Sequence, residues 1–412
     1  MSGSFRRYAV ACVGTVALAG AAFVGVSPAV AGAAGVSVST EGAFTSAWQA
    51  SGTTEVVLSA DVTLTCASGE PTRNSSTAIV VNGNGHTLTQ TCPGDSALGQ
   101  QGDGTVTLTD ITVTGGDGPD GGALDTTGNV VITRSTLTGN NAASEGGAVH
   151  ANGSGVVDVT DSAISDNTSG NSGGGISAQG LITVTRSTVS GNTSGNNGGA
   201  LRAYGGAAII DSTVSGNTAS SDGGAVSGGP VSLVYATVTD NTGAGGGNLE
   251  LDDGGLTSFG SVVALPHGSA DCVAIGTTTS NGYNVDDDGT CGFGTGTGDQ
   301  SDLATSLALG ALADNGGPGL TQLPGATSPL VDQIPVASCG AGAGITTDER
   351  GATRPFGAGC DIGAVEAGAS IPATTTTVPA TTVAPSASST STTVAPTAVA
   401  ATPVAASPTF TG

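Results

Sequence analysis

Few side chains in this chain could do acid–base or ligand chemistry in one another's company. Eight arginines, no lysine and three histidines face 32 acidic residues, for a formal net charge of −24. The acidic residues bunch at Asp252-Asp253 and at Asp286-Asp287-Asp288. Paired aspartates serve sugar hydrolysis as acid and water activator, with histidine and basic residues holding an anionic sugar. Neither bunch sits in a Gly-Asp-Asp, no Gly-His-Gly follows, and Arg-x-Lys does not occur. Gly115-Gly-Asp-Gly-Pro-Asp120 opens like a calcium-binding nonapeptide, but it occurs once, and calcium rolls need stacked copies. His86 and His267 have no partner at a ligand spacing. No catalytic set and no cofactor are therefore expected. Calcium at the acidic turns is the one metal weighed, and a plain acidic turn is preferred.

A different group emerges from the chain's periodicity. A glycine pair followed by a small residue and an aliphatic one recurs at Gly121-Gly-Ala-Leu124, Gly146-Gly-Ala-Val149, Gly173-Gly-Gly-Ile176, Gly198-Gly-Ala-Leu201, Gly223-Gly-Ala-Val226 and Gly246-Gly-Asn-Leu249. A second marker keeps the same phase, from Ser135-Thr-Leu-Thr-Gly-Asn140 to Ala236-Thr-Val-Thr-Asp-Asn241. Two markers in fixed phase describe a solenoid. Within each copy the apolar residues alternate with Thr, Ser and Arg, and Gly, Asn and Asp close the runs, which is strand and turn chemistry. The expected fold is an all-β, right-handed parallel β-helix of about 25 residues and three strands per coil. Leu124, Val149, Ile176, Leu201, Val226 and Leu249 then stack inside, as do Leu137, Ile164, Val189, Val214 and Val238. Asn140, Asn167, Asn192, Asn217 and Asn241 stack at a bend.

If those aliphatics point inward, the next residues point out: Asp125, His150, Ser177, Arg202, Ser227 and Glu250. Two further along come Gln179, Tyr204 and Asp252. His150, Gln179, Arg202 and Tyr204 thus gather across three coils as a candidate ligand site. Hydrogen-bonding groups with one aromatic suit a sugar.

The ends of the chain differ in composition. Residues 1–31 carry Arg6-Arg7, an apolar run and Ala29-Val-Ala31, the pattern of a secretory leader. No other segment is long and apolar enough to cross a bilayer. Residues 369–412 are Thr, Ala, Pro, Val and Ser without charge and read as a disordered stalk. Cys12 falls in the leader, leaving Cys66, Cys92, Cys272, Cys291, Cys339 and Cys360 for disulfides. Six cysteines allow fifteen connectivities, and pairing of sequence neighbours is one of them. The acidic balance excludes nucleic acid and acidic lipid as general partners.

The repeat resembles that of secreted right-handed parallel β-helix proteins. It is also similar to the repeat of chlamydial polymorphic outer-membrane proteins, with an aliphatic in place of Phe in Val189-Ser-Gly-Asn192. The C-terminal part resembles the choice-of-anchor Q domain. It holds Asn281-Gly-Tyr-Asn-Val-Asp-Asp-Asp-Gly-Thr-Cys-Gly-Phe293, Leu312-Ala-Asp-Asn-Gly-Gly-Pro318, Thr347-Asp-Glu-Arg-Gly-Ala-Thr-Arg-Pro355 and Asp361-Ile-Gly-Ala-Val-Glu366. That resemblance implies an exported bacterial β-helix whose C-terminal module precedes a surface-anchoring signal, and it carries over no catalytic residues.

The expected organisation is a leader at 1–31, an N-terminal cap at 32–78, coils at 79–268, the C-terminal module at 269–368 and the stalk at 369–412. The expected function is non-catalytic: a secreted or cell-surface protein presenting a polar face for adhesion, with a polysaccharide or surface glycan as partner. The alternatives are an extracellular polysaccharide lyase or hydrolase of the pectate-lyase-like type and a passive spacer. Oligomeric state is not readable from the chain.

Overall fold

The computed structural model describes residues 35–372, apart from 68, 253, 269, 304, 305 and 341–343. The leader at 1–31 and nearly all of the stalk lie outside the described residues. Within them no helix is long and apolar enough to cross a membrane.

The described chain is a parallel β-solenoid, built from three long sheets of nine, ten and eleven strands. One coil runs through Leu124–Thr126, Val130–Thr133 and Thr136–Thr138, each paired in parallel with its counterpart one coil on. A fourth sheet of five two-residue strands, such as Asn141–Ala142, was not foreseen. It forms just past the stacked asparagines, where the bend carries two extended residues in register with the next coil. Both expected aliphatic ladders are fully buried. Burying each such side chain is worth about 1.5–3 kcal/mol.

The glycine pair has two separate causes, seen at Gly198-Gly199. Gly198 has φ +66°, which costs an L residue steric strain. A Cβ on Gly199 would lie 2.2 Å from the Gly224 carbonyl oxygen of the next coil.

The asparagine ladder is continuous. Asn192 Nδ2 donates to the Ile164 carbonyl and to Asn217 Oδ1, both at 2.9 Å, while its own Oδ1 accepts from the Asn167 backbone and side chain. Asn140, Asn167, Asn217 and Asn241 repeat the pattern, and the ladder passes through Asn248 to Asp271, 2.6 Å away. Burial, then the neighbouring Asp287 and Asp288, pushes the Asp271 carboxyl up to about 10.

One end of the rod is closed by a helix, Glu41–Gln49, whose Phe44 and Trp48 are buried. Fully buried Arg73 donates to the carbonyls of Trp48, Ala50, Ser51 and Thr53. The segment 32–78 contains this helix, and it also supplies Val36–Val38 and Glu55–Leu58 to the longest sheet. The disulfides join sequence neighbours: Cys66–Cys92, Cys272–Cys291 and Cys339–Cys360.

Residues after about 303 do not continue the stack. They double back and lie on the outer side of the sheet that contains Thr136–Thr138, around a second apolar cluster that includes Tyr235, Phe259, Leu330 and Ile334.

Asn192→Ala should strand the Asn167 backbone N–H and one Asn167 side-chain N–H in the interior. At about 1–3 kcal/mol for each orphaned group, the loss should reach about 3 kcal/mol or more. Urea denaturation measures it, and a loss under about 1 kcal/mol would show that the ladder is decorative.

Candidate functional site

In the sheet that contains Leu124–Thr126 the outward column is fixed by register, but Ser177, Ser227 and Glu250 in it are buried under neighbouring side chains. Asp125, His150, Ser177, Arg202, Ser227 and Glu250 follow one another, one per coil. Successive members are about 4.8 Å apart, close enough for direct side-chain contact.

The column forms one polar stripe. His150 Nδ1 lies 2.8 Å from Asp125 Oδ1. Ser177 Oγ donates to Glu145 Oε2 at 2.8 Å, and the Tyr204 hydroxyl donates to Glu145 Oε1 at 3.3 Å. The Arg202 guanidinium lies 4.5 Å from the centre of the Tyr204 ring, within cation–π range. Arg202 also donates to Ser227 Oγ and pairs with Asp252 at 3.3 Å, and Ser227 Oγ donates to Glu250 Oε2 at 2.7 Å.

Glu145 was missed from sequence, and it joins Ser177 to Tyr204 across two coils. It stands just before a glycine pair, on a bend whose side-chain reach the repeat does not reveal. Arg202 and Tyr204 fall within the bonded part of this stripe, while His150 is paired with Asp125 and adjoins it by register with Ser177. Gln179 is exposed and makes no side-chain hydrogen bond among the described residues. Tyr204 keeps 39% of its surface exposed, whereas the Arg202 and His150 side chains are mostly covered.

The electrostatics follow from this packing. Burial opposes a charge on His150, but the Asp125 hydrogen bond and the charges of Asp125, Asp120 and Glu145 outweigh it and raise its pKa. Burial raises the Glu250 carboxyl, against the Ser227 hydrogen bond and with help from the Asp252 charge. The arrangement offers an exposed ring flanked by a cation and a carboxylate. Arg202 and Asp252 neutralise each other, so neither stands as an uncompensated charge.

The other candidates resolve into turns and pairs. Asp117 accepts from Asn141 and Gly94, and Asp120 accepts from Glu145, so Gly115–Asp120 is bonded into the neighbouring coils. Asp288 accepts from Thr290 and from the Asp271 amide beside the Cys272–Cys291 bridge. Asp253 lies outside the described residues. His86 and His267, read as isolated, face Asp61 at 3.3 Å and Asp240 at 3.7 Å, because stacking brings together residues about 25 positions apart.

An open groove of about 400 Å³ lies elsewhere, between Asn82, Asn84, Asp110, Thr112, Arg134 and Thr136. Its corner belongs to a column of left-handed residues, Asp110, Arg134, Asp161 and Arg186, whose charges alternate. Arg134 pairs with Asp110 at 2.7 Å and Arg186 with Asp161 at 2.8 Å. The signal was present in the sequence as Asp or Arg before Ile111-Thr112, Ser135-Thr136, Ser162-Ala163 and Ser187-Thr188.

Comparison with known proteins places two matches on this fold. Residues 35–150 match a pectate lyase-like adhesive domain, and residues 211–229 match the Chlamydia polymorphic membrane protein repeat. Neither a curated protein nor a solved structure matches the chain.

Asp125→Asn should lower the His150 pKa by removing the nearest negative charge and leaving only a neutral amide oxygen to accept from the ring. Wild-type His150 should titrate above 6.5, the ordinary histidine value. Its charged form contributes stability that is full below the unfolded pKa and is lost as pH rises through the folded one. NMR titration of the imidazole tests this; an unchanged midpoint in the variant would refute the ion pair.

Proposed function

We propose that this protein is an adhesin-like surface protein whose polar stripe binds a glycan. The observation that carries the reading is Tyr204: an exposed ring held between the Arg202 guanidinium and the Glu145 carboxylate. A sugar presents an apolar C–H face and a rim of hydroxyls. A fixed aromatic platform takes the face, and flanking donors and acceptors take the rim. Ordering the platform before binding reduces the entropy that the ligand must overcome.

The adhesive-domain match, the polymorphic membrane protein repeat and the three disulfides support placing the protein outside the cell, exported and held at the surface. Neutral or weakly acidic polysaccharide fits a chain of net charge −24 better than a dense polyanion does. No cofactor enters this reading. The C-terminal residues that resemble a choice-of-anchor Q domain are assigned the role of preceding an anchor.

The test is retention of the purified protein on a panel of plant and microbial polysaccharides, with and without calcium, scored together with release of reducing or unsaturated ends. Retention without cleavage is expected, and Tyr204→Ala or Arg202→Ala should weaken it by about tenfold, equivalent to about 1.4 kcal/mol. Cleavage would replace this reading with a lyase or hydrolase. Absence of retention on every polymer would leave a spacer.

A further inference from the structure

The C-terminal module covers part of a sheet face that is open elsewhere. The outward threonines Thr112 and Thr136 are half-exposed, while Thr188, Thr213 and Thr237, further along the same column, are buried. The module that buries them shares an apolar cluster with the coils it covers, Tyr235, Phe259 and Val262 from the coils meeting Leu330, Ile334 and Ile362 from the module, separate from the solenoid interior. Its polar fastenings are specific. Ala364 N donates to Thr237 Oγ1 at 3.0 Å, Thr239 donates to Gln322, and Tyr235 donates its hydroxyl to the Cys339 carbonyl at 2.8 Å.

Glu349 is the unusual member. It is fully buried, and no arginine bonds to it among the described residues. Thr188 Oγ1 has a single proton, which it donates to the Leu320 carbonyl at 2.7 Å. Glu349 Oε1 lies 3.1 Å from that same hydroxyl oxygen, which can then only accept. A protonated Glu349 supplies the hydrogen for that contact, whereas a carboxylate would have to share the one Thr188 proton with the Leu320 carbonyl. The other Glu349 oxygen accepts from Thr213 Oγ1 at 2.5 Å. A neutral acid satisfies all three contacts, and a carboxylate does not.

We propose that the C-terminal module is a proton-dependent clasp: Glu349 seats as a neutral acid between Thr188 and Thr213, and loss of its proton loosens the module from the coils it covers.

The surrounding charges work in the same direction. From the coils, Asp211 and Arg186 face this interface. From the module come the Asp348–Arg350 pair at 2.7 Å, Asp361 and Glu366. Arg354, fully buried on the Tyr235 ring, is shared between Asp211 at 3.4 Å and Glu366 at 3.1 Å, and Asp211 Oδ2 has no partner. One cation therefore serves several carboxyls. Burial lifts Glu349 well above 4.5, its ordinary value, lifts Asp211 to about 8 against the pull of Arg354, and lifts Glu366 to about 7. A raised carboxyl means that the docked state holds the proton more tightly than the undocked one. Docking is therefore strongest below the ordinary values of 3.8 and 4.5 and is lost progressively as pH rises through the docked ones. Opening would present Thr188, Thr213 and Thr237 in the same column as Thr112 and Thr136, beyond Ala163.

Hydrogen exchange of the full-length protein between about pH 5 and pH 9, corrected for intrinsic rate, tests the clasp. Residues 345–366 should open increasingly as pH rises while coils 121–165 stay protected. Glu349→Gln supplies an amide that donates to Thr188 and a carbonyl that accepts from Thr213. It should stay docked and reduce the rise by up to about tenfold per pH unit, the effect of one titrating proton. Asp211→Asn is the second variant. Asn tolerates the left-handed corner, and the change should flatten the profile near the upper end. Protection of 345–366 that is flat or improves with pH in the wild type would overturn the proposal, as would a Glu349→Gln module that is already open at pH 5.

Discussion

The structure rests on one constraint: each residue is stacked on its own counterpart one coil away, held there by parallel backbone hydrogen bonds in fixed register. A side chain in this fold must therefore be compatible with itself at about 4.8 Å. Aliphatics meet the condition by packing, asparagines by donating and accepting in the same direction, and glycines by leaving room. Like charges do not meet it. Two unit charges about 5 Å apart repel by about 1 kcal/mol in water and by several where water is partly excluded. The left-handed corner obeys this rule by alternating, Asp110, Arg134, Asp161, Arg186, Asp211. The outward stripe obeys it by separating charges with Ser177 and Ser227.

The same constraint explains why the threonine face serves two purposes. A β-branched residue with one hydroxyl is at home on a strand whether it faces water or protein, because its hydroxyl can donate to either. The face is solvated at Thr112 and Thr136 and covered at Thr188, Thr213 and Thr237, with no change in the strand itself. What changes is the cover, whose buried carboxyls and shared arginine make docking dependent on charge state.

Two surfaces on the rod are thus polar and preformed. The stripe around Tyr204 presents a ring with charged flanks, while the groove at Arg134 and Asp110 presents amides and hydroxyls beside an ion pair already made. The stripe carries an exposed aromatic ring, which the residues lining the groove lack. Arg202 and Asp252, which the sequence placed on different coils, neutralise each other on the surface.

The sequence by itself determined the solenoid, its period, its two aliphatic ladders, its asparagine ladder and the outward direction of Asp125, His150 and Arg202. Those features repeat, and in a stacked fold repetition in sequence is repetition in space. The tertiary structure alone decided what does not repeat. It brought Glu145 to Ser177 and Tyr204, paired His86 and His267 with aspartates, left Gln179 outside the stripe and added the fourth short sheet. It also folded the C-terminal module back onto Thr188, Thr213 and Thr237, whereas only that module's bounds were legible in the sequence. The physical reason is range. Period and alternation are local properties fixed by strand geometry, whereas side-chain reach across coils and the docking of a distant segment depend on which surfaces burial and charge allow to meet.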